Sequence, residues 1–412
     1  MCKLTPLALA TAALFSTPAL AQRGLPPADA LAVSWQRICA TAQNGTLLLV
    51  RCGETAASTD PMADYIAATG QRLDEIPGQG RIASRDFTGL NTSTFADLAG
   101  NPVTVAFGQN QFGGLSLNAE DELAPQLSLF FSADVGRVKR RRGVNEAAFD
   151  ADTSSFTAGL NWQASPSWLL GIAANHTREN LDFSLSQGSA DTRFTGLIAT
   201  ASHPYAGSWS LDGYAGYQRG RYDLLRSIHY VLPTGSGSVT VDGSAFANPD
   251  ATRTFQGVTT TGNWSKNGWD RTLTFGVDGS KTKIDPYTEG GGVGLALVVP
   301  GRAVKTFRGL ADFSISRTIS RDWGVWQPSL RVGWRQEFSN ERRSVTLRLA
   351  QDPVNNPITF DTEDPDRGWG EVAVGSVFTF TKGRSGFIQY QQRFAHAYLQ
   401  ERIFAVGFRI EL

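Results

Sequence analysis

The sequence predicts an all-β fold, with about twelve antiparallel strands closed into a transmembrane β-barrel behind a small N-terminal helical, disulfide-linked segment. Three observations predict it. From Gln126 onward apolar residues recur at every second position, the period at which side chains alternate between the two faces of a strand. The connections between these segments alternate short and long, as in a barrel with turns on one side of a membrane and loops on the other. Finally, the 412 residues include 43 Gly, 24 Phe and 10 Trp but 2 Met, while mean hydropathy is only -0.20. That mean is too polar for helical spans, yet natural for strands that average an apolar with a polar face.

Charge and cysteine content narrow the function classes. Lys plus Arg balance Asp plus Glu at net charge zero, which argues against a nucleic-acid binder. No stretch after residue 22 approaches 18 apolar residues, so no spanning helix is expected. Residues 1–21 read as a secretory signal: Lys3, an apolar run from Leu4 to Leu14, and Ala19-Leu20-Ala21 before Gln22. Cys2 leaves with the signal. Cys39 and Cys52 then form an even pair in an oxidising compartment, read as a structural disulfide.

Residues 22–83 predict a small helical unit, a cargo or a plug. Leu31, Trp35 and Ile38 fall at helical spacing within Ala28 to Ala42, before an Asn44-Gly45 stop. Asp60-Pro61 opens a second helix as cap and first residue, with Met62, Tyr65, Ile66, Leu73 and Ile76 on one face until Pro77-Gly78. Residues 84–125, rich in Gly, Asn and Thr, form a linker that could line the pore, with a short helix near Asn118 to Leu123.

The barrel occupies 126–412. Leu127, Leu129, Phe131, Ala133 and Val135 alternate with Ser128, Phe130, Ser132 and Asp134, and equivalent patterns recur around Trp168, Trp209, Leu273, Leu330 and Val372. Further strands are expected near 154–163, 190–203, 251–264, 302–317 and 386–398. Short turns fall at 164–166, 204–207, 265–268, 320–322 and 382–386, and longer connections near 140–152, 180–190, 231–250, 285–302 and 339–366. The chain closes on Phe404, Val406, Phe408, Ile410 and Leu412, an apolar face interleaved with Ala405, Gly407, Arg409 and Glu411.

By this register Asp134, Asp212, Asp278, Arg308, Asp312, Arg331, Arg335, Glu337, Glu371, Arg393, Arg409 and Glu411 face the lumen, with Gln389 and Gln391 beside them. Facing lipid, a midplane Arg or Lys would cost roughly 2–4 kcal/mol. The lumen is either a hydrophilic conduit or a packed polar interior filled by the linker or an infolded loop. Lys139, Arg140, Arg141 and Arg142 at the top of the first strand are a candidate contact for lipopolysaccharide phosphates, against the plainer reading of a solvated loop. Gly290-Gly291-Gly292-Val293-Gly294 lacks the Lys-Ser/Thr of a phosphate cradle and reads as a mobile loop. His176, His203, His229 and His396 are scattered without metal-ligand spacing, and no Gly-x-Ser-x-Gly elbow occurs, so neither an enzyme nor a cofactor is expected.

Together, the length of 126–412 and the ending Val406-Gly407-Phe408-Arg409-Ile410-Glu411-Leu412 resemble the autotransporter β-domain, the translocator of type V secretion. That resemblance implies a barrel of twelve strands, monomeric, in the outer membrane of a Gram-negative bacterium. It implies delivery by the inner-membrane secretion machinery and recognition of the terminal strand, here Phe404 to Leu412, by the barrel-assembly machinery. It also implies a preceding segment that occupies or crosses the pore. Two features depart from the family: the last residue is Leu412 where Phe is usual, and only 22–125 precede the barrel where passengers are commonly long β-helices. A porin-like or structural barrel with a periplasmic or lumenal plug is the alternative, and a hydrolase with a site at the rim is a third.

Overall fold

A computed structural model of the chain describes residues 27–56, 93–96, 102–105, 127–142, 148–165, 167–184, 188–206, 208–234, 236–339, 344–361, 366–381 and 383–412. The signal at 1–21, the helix expected from Asp60 to Pro77 and the one near Asn118 lie outside these residues.

Twelve long strands carry the fold. They are β1 (Leu127–Arg140), β2 (Phe149–Ser165), β3 (Trp168–Phe183), β4 (Gly188–Ala206), β5 (Trp209–Thr234), β6 (Asp250–Lys266), β7 (Trp269–Ile284), β8 (Arg302–Arg317), β9 (Gly324–Glu337), β10 (Gly368–Phe380), β11 (Arg384–Phe394) and β12 (Leu399–Glu411). Each pairs antiparallel with its neighbour in the chain. The first and last strands pair with each other, from Leu399 opposite Arg140 to Glu411 opposite Ser128, which closes the sheet. Closure is what lipid demands, because an open edge would leave backbone N–H and C=O groups unsatisfied at several kcal/mol each.

Strand alternation sorts the side chains. On β1, Leu127, Phe131 and Val135 point outward and are exposed, while Ser128, Phe130 and Asp134 point inward and are buried. Beside the short turns, exposed Trp162, Trp168, Trp264, Trp269 and Trp323, with half-buried Trp209, form an aromatic girdle at one rim. Toward the other rim the outward row turns from apolar to charged: Val135 to Arg137 on β1, Phe156 to Asp152 on β2, Phe404 to Arg402 on β12. That transition marks the far edge of the lipid band.

The long connections are more ordered than their composition suggests. The expected loop near 180–190 is shorter than that range, since β3 reaches Phe183 and β4 starts at Gly188. The stretch near 231–250 is a projecting hairpin in which the end of β5, a 26-residue strand, pairs with Gly237–Ala247. Beyond it, Tyr287–Thr288, Leu297–Val299, Ser344–Leu349 and Ile358–Asp361 assemble into a separate four-stranded sheet at the loop end. β11 stops at Phe394, short of the expected 398, where Ala395 takes a φ of 56°.

Two helices precede the barrel, α1 (Pro27–Thr41) and α2 (Leu47–Ala56), stapled by the Cys39–Cys52 disulfide. α1 falls where helical spacing predicts it. The helix that pairs with it is α2, which the periodicity misses because Leu47 to Val50 is a continuous apolar run with no 3.6-residue rhythm. A short hairpin, Ser93–Ala96 with Pro102–Val105, lies against β4, β6 and β7.

Candidate functional site

The helical hairpin does not float free of the barrel. Trp35 and Ile38 of α1 and Leu48 and Cys52 of α2 share one core with Leu297, Val299, Leu347, Leu349, Ile358 and Phe360 of the four-stranded sheet, and with Ile228 and Val241 of the projecting hairpin. Ile38, Leu48, Leu297 and Ile358 are all completely buried there. Polar contacts fix the register of this packing. The Ser34 hydroxyl donates to the Pro357 carbonyl at 3.1 Å, and the Leu48 amide donates to Gln351 Oε1 at 2.9 Å. Asn356 Nδ2 donates to Thr41 Oγ1 at 3.4 Å. On α2, burial pushes the Glu54 carboxyl up from its ordinary value, opposed by Arg51 at 2.9 Å.

The glycine-rich run 290–294 belongs to this assembly and is not a mobile loop. Gly290 and Gly291 pair with Phe246 and Ala245, and Gly292–Gly294 makes a 3-10 turn. Gly294 sits at φ 94°, and a Cβ there would lie 2.7 Å from the backbone carbonyl carbon of Leu47. The absence of a side chain lets the first residue of α2 rest directly on the turn. Arg226 ties the same region to the barrel, 2.5 Å from Glu289, whose other contact is the Leu297 amide at 2.9 Å.

Inside the barrel, the charged residues expected at the lumen are placed as follows. Asp134, Asp212, Asp278, Arg308, Asp312, Arg331, Arg335, Glu337, Glu371, Arg393 and Arg409 are buried, whereas Glu411 is half-exposed at the turn-side rim, 3.7 Å from Arg409. Opposite charges meet across neighbouring strands. Arg335 donates to both oxygens of Asp312, at 2.7 and 3.2 Å, and lies 3.1 Å from Glu371. Arg308 reaches Asp278 at 2.9 Å, and Arg393 reaches Glu401 at 2.8 Å. Arg331 donates to Gln391 Oε1 at 2.7 Å, and Glu371 accepts from Trp369 Nε1 and Gln391 Nε2, each at 3.2 Å. Glu337 accepts the amides of Phe307 and Ser339 at 3.1 and 2.8 Å. On the other wall Asp134 accepts from the Ser155 hydroxyl and Asp212 from Ser210, while Gln218, Asn175 and Thr157 form a neutral chain. Buried ions require such partners, because desolvating a lone charge costs more than its surroundings return.

The lumen is not uniformly polar. Near the loop end Val138, Phe149, Leu181, Phe183, Phe194 and Tyr222 form an inward apolar cluster. A second cluster gathers Phe130, Ile198, Phe255, Val377 and Phe387. Phe130 and Phe255 fit because Gly159 and Gly216 leave room for their rings. Phe130 stands at an inward position of the alternation, but one inward Phe does not reveal that several converge.

The basic run at the top of β1 is divided by the same alternation. Lys139 points outward, 3.3 Å from Asp150, whereas Arg140 turns inward, is buried, and lies over the Tyr398 ring at 5.5 Å. Only Arg141 and Arg142, past the strand end, are exposed beside Lys139. The four His are separate, and among the described residues no three His, Cys, Asp or Glu gather as metal ligands. Phe404, Val406 and Phe408 of the terminal strand are exposed on the lipid face; Ile410 is half-exposed and Leu412 exposed, with its amide donating to the Leu127 carbonyl at 2.9 Å.

A family model described as the autotransporter beta-domain matches residues 129–391, nearly two thirds of the chain. Comparison with curated proteins returns no match. Among solved structures, the barrel is similar to the translocator domain of the autotransporter NalP from Neisseria meningitidis, at a TM-score of 0.54 and 16% identity, covering 69% of this chain and 88% of that one. It is also similar to the beta domain of the Bordetella autotransporter BrkA, at a TM-score of 0.48 and 17% identity over 70% and 100% of the two chains. The transport unit of AIDA-I from Escherichia coli matches at 0.44 and 12% identity, over 72% and 93%.

Proposed function

Because the chain belongs to the autotransporter β-domain family and is an outer-membrane barrel, we propose that it carries its own N-terminal segment to the cell surface and holds it there as a cap. One observation carries this reading: α1 and α2 share a core with the sheet built from the long connections, while β1 begins at the opposite, turn-side rim. In bacterial outer-membrane barrels the long connections face outward and the short turns face the periplasm. The polypeptide that joins Ala56 to Leu127 must therefore pass from one face to the other. Backbone cannot cross lipid outside a helix or closed sheet, so on this reading the lumen is the route. Its paired charges offer a lining against which a polar chain can slide or settle without stranding an ion.

On this reading the terminal strand, with Phe404, Val406, Phe408, Ile410 and Leu412 toward lipid, is the segment that the assembly machinery engages. The chain performs transport and no covalent chemistry, needs no cofactor, and acts as a monomer. The test uses the turn between the helices. Gly45, at φ 85° with nothing within 4 Å of a built Cβ, is an open place for an epitope insertion. Antibody binding to intact cells is expected. Binding only after the outer membrane is permeabilised would overturn the proposal in favour of a periplasmic plug on a porin-like barrel.

A further inference from the structure

We propose a second site on the outside of the barrel, at the seam where β12 closes on β1: a groove for a phosphorylated, sugar-bearing lipid of the outer leaflet. The groove holds about 490 Å³. Its lower wall is Val135, Phe404 and Tyr390, which stand exposed at the edge of the lipid band. Its upper wall is Arg137, Arg402 and Arg178. A lipid bound there would lay its acyl chains on the apolar wall and its headgroup among the guanidinium groups.

The register makes the charge arrangement specific. Arg402 lies directly opposite Arg137 across the closing seam. Like charges at directly opposed positions destabilise a strand pair, so this pairing has a cost that an anion between the two would remove. Arg137 reaches Asp150 only at 3.7 Å and shares it with Lys139. Arg402 makes no ion pair among the described residues. Arg178, by contrast, is held by Asp191 at 2.9 Å and borders the groove as a fixed wall. Two guanidinium groups facing each other across a cleft match the oxygens of a phosphate, which Arg binds in bidentate fashion.

Asp152 and Asn180 complete the groove and set the class of ligand. Asp152 stands opposite Arg137 on the other side, and Asn180 opposite Asp152. A carboxylate in a phosphate site repels a second anion but accepts hydrogen bonds from hydroxyl groups. Phosphate on Arg137 and Arg402, hydroxyls on Asp152 and Asn180, and chains on Val135 and Phe404 describe a phosphorylated saccharide lipid. The basic run at 139–142 does not offer this geometry, because its Arg140 faces inward.

The test is titration of the purified full-length chain in detergent with diphosphorylated lipid A, the same lipid after enzymatic dephosphorylation, and inorganic phosphate. Wild-type protein should bind the phosphorylated lipid roughly ten-fold more tightly than the dephosphorylated one, the scale of one or two partly exposed charge-assisted contacts. The double variant R137Q/R402Q should lose that preference, while R384Q at the opposite rim should keep it. Heat-modifiable migration on gels reports that each variant is a folded barrel. Equal binding of both lipids by the wild type, which needs no variant, would overturn the proposal. So would an undiminished preference in folded R137Q/R402Q. Displacement of the lipid by inorganic phosphate at comparable concentration would overturn the lipid assignment and leave a free-anion site.

Discussion

Replacing Ile38 by Ala is the most direct probe of how the N-terminal helices are held. Ile38 is 0% exposed in α1 and packs into the core shared with the loop-end sheet. Truncating a fully buried Ile to Ala typically costs about 2–5 kcal/mol, from lost transfer energy and the cavity left behind. Each 1.4 kcal/mol is about ten-fold in an equilibrium. If the whole cost falls on docking, the open population of the hairpin should rise between about 30-fold and a few thousand-fold. The readout is hydrogen exchange at the Leu48 amide, which donates to Gln351 Oε1 across the interface. Barrel amides on β9 and β10 serve as the internal reference. Gly294→Ala should open the same amide by a different route, because its Cβ would sit 2.7 Å from the Leu47 carbonyl carbon on a φ of 94°. The two substitutions perturb opposite sides of one contact. Exchange at Leu48 unchanged in both variants would refute the claim that this core retains the helices.

Other outcomes follow from the barrel. Phe408→Asp with Leu412→Asp places carboxylates on the lipid face of the closing strand and should leave unassembled, protease-sensitive protein; normal levels of heat-modifiable barrel would count against it. Arg335→Met strands Asp312 and Glu371 together in the wall, and losing one member of a buried ion cluster costs about 3–5 kcal/mol, read as a lower guanidinium midpoint that Asp312→Asn partly restores. At the loop end, burial raises the Asp191 carboxyl, but hydrogen bonds from Arg193 and Arg178 win and hold it below its ordinary value of 3.8. A depressed acid stabilises the fold above the unfolded value and loses that contribution as pH falls through the folded one. Exchange at β4 amides near Asp191 should therefore accelerate below about pH 3.8 in the wild type and show no such step in Asp191→Asn.

The barrel was legible because its instructions are local. Phe131 and Val135 outward against Asp134 inward is a statement about adjacent residues, and period two fixes the face of every later position in a strand. The same rule explains why most inward charges could be named from the register. It also explains a misreading: Lys139, Arg140, Arg141 and Arg142 look like one patch in the sequence, yet alternation sends Arg140 to the opposite face from Lys139.

What the linear pattern does not carry is which distant residues meet. α2 carries no helical period of its own and is placed only by Leu48 packing against a sheet gathered from connections some 250 to 310 residues later (Leu297, Leu349, Ile358). The glycine run 290–294 reads as slack until α2 is seen resting on it. Nor does alternation say which inward Asp faces which Arg, since that depends on the stagger between strands. By itself, then, the sequence determined the strands, their faces and the closing strand, which follow from spacing along the chain, and the disulfide, which follows from an even pair of cysteines behind a secretory signal. Tertiary structure alone decided the packing of the two helices on the loop-end sheet, the pairing of lumenal ions, the apolar layers and the seam groove. These depend on long-range contacts whose energy arises only when separate segments exclude water or lipid together.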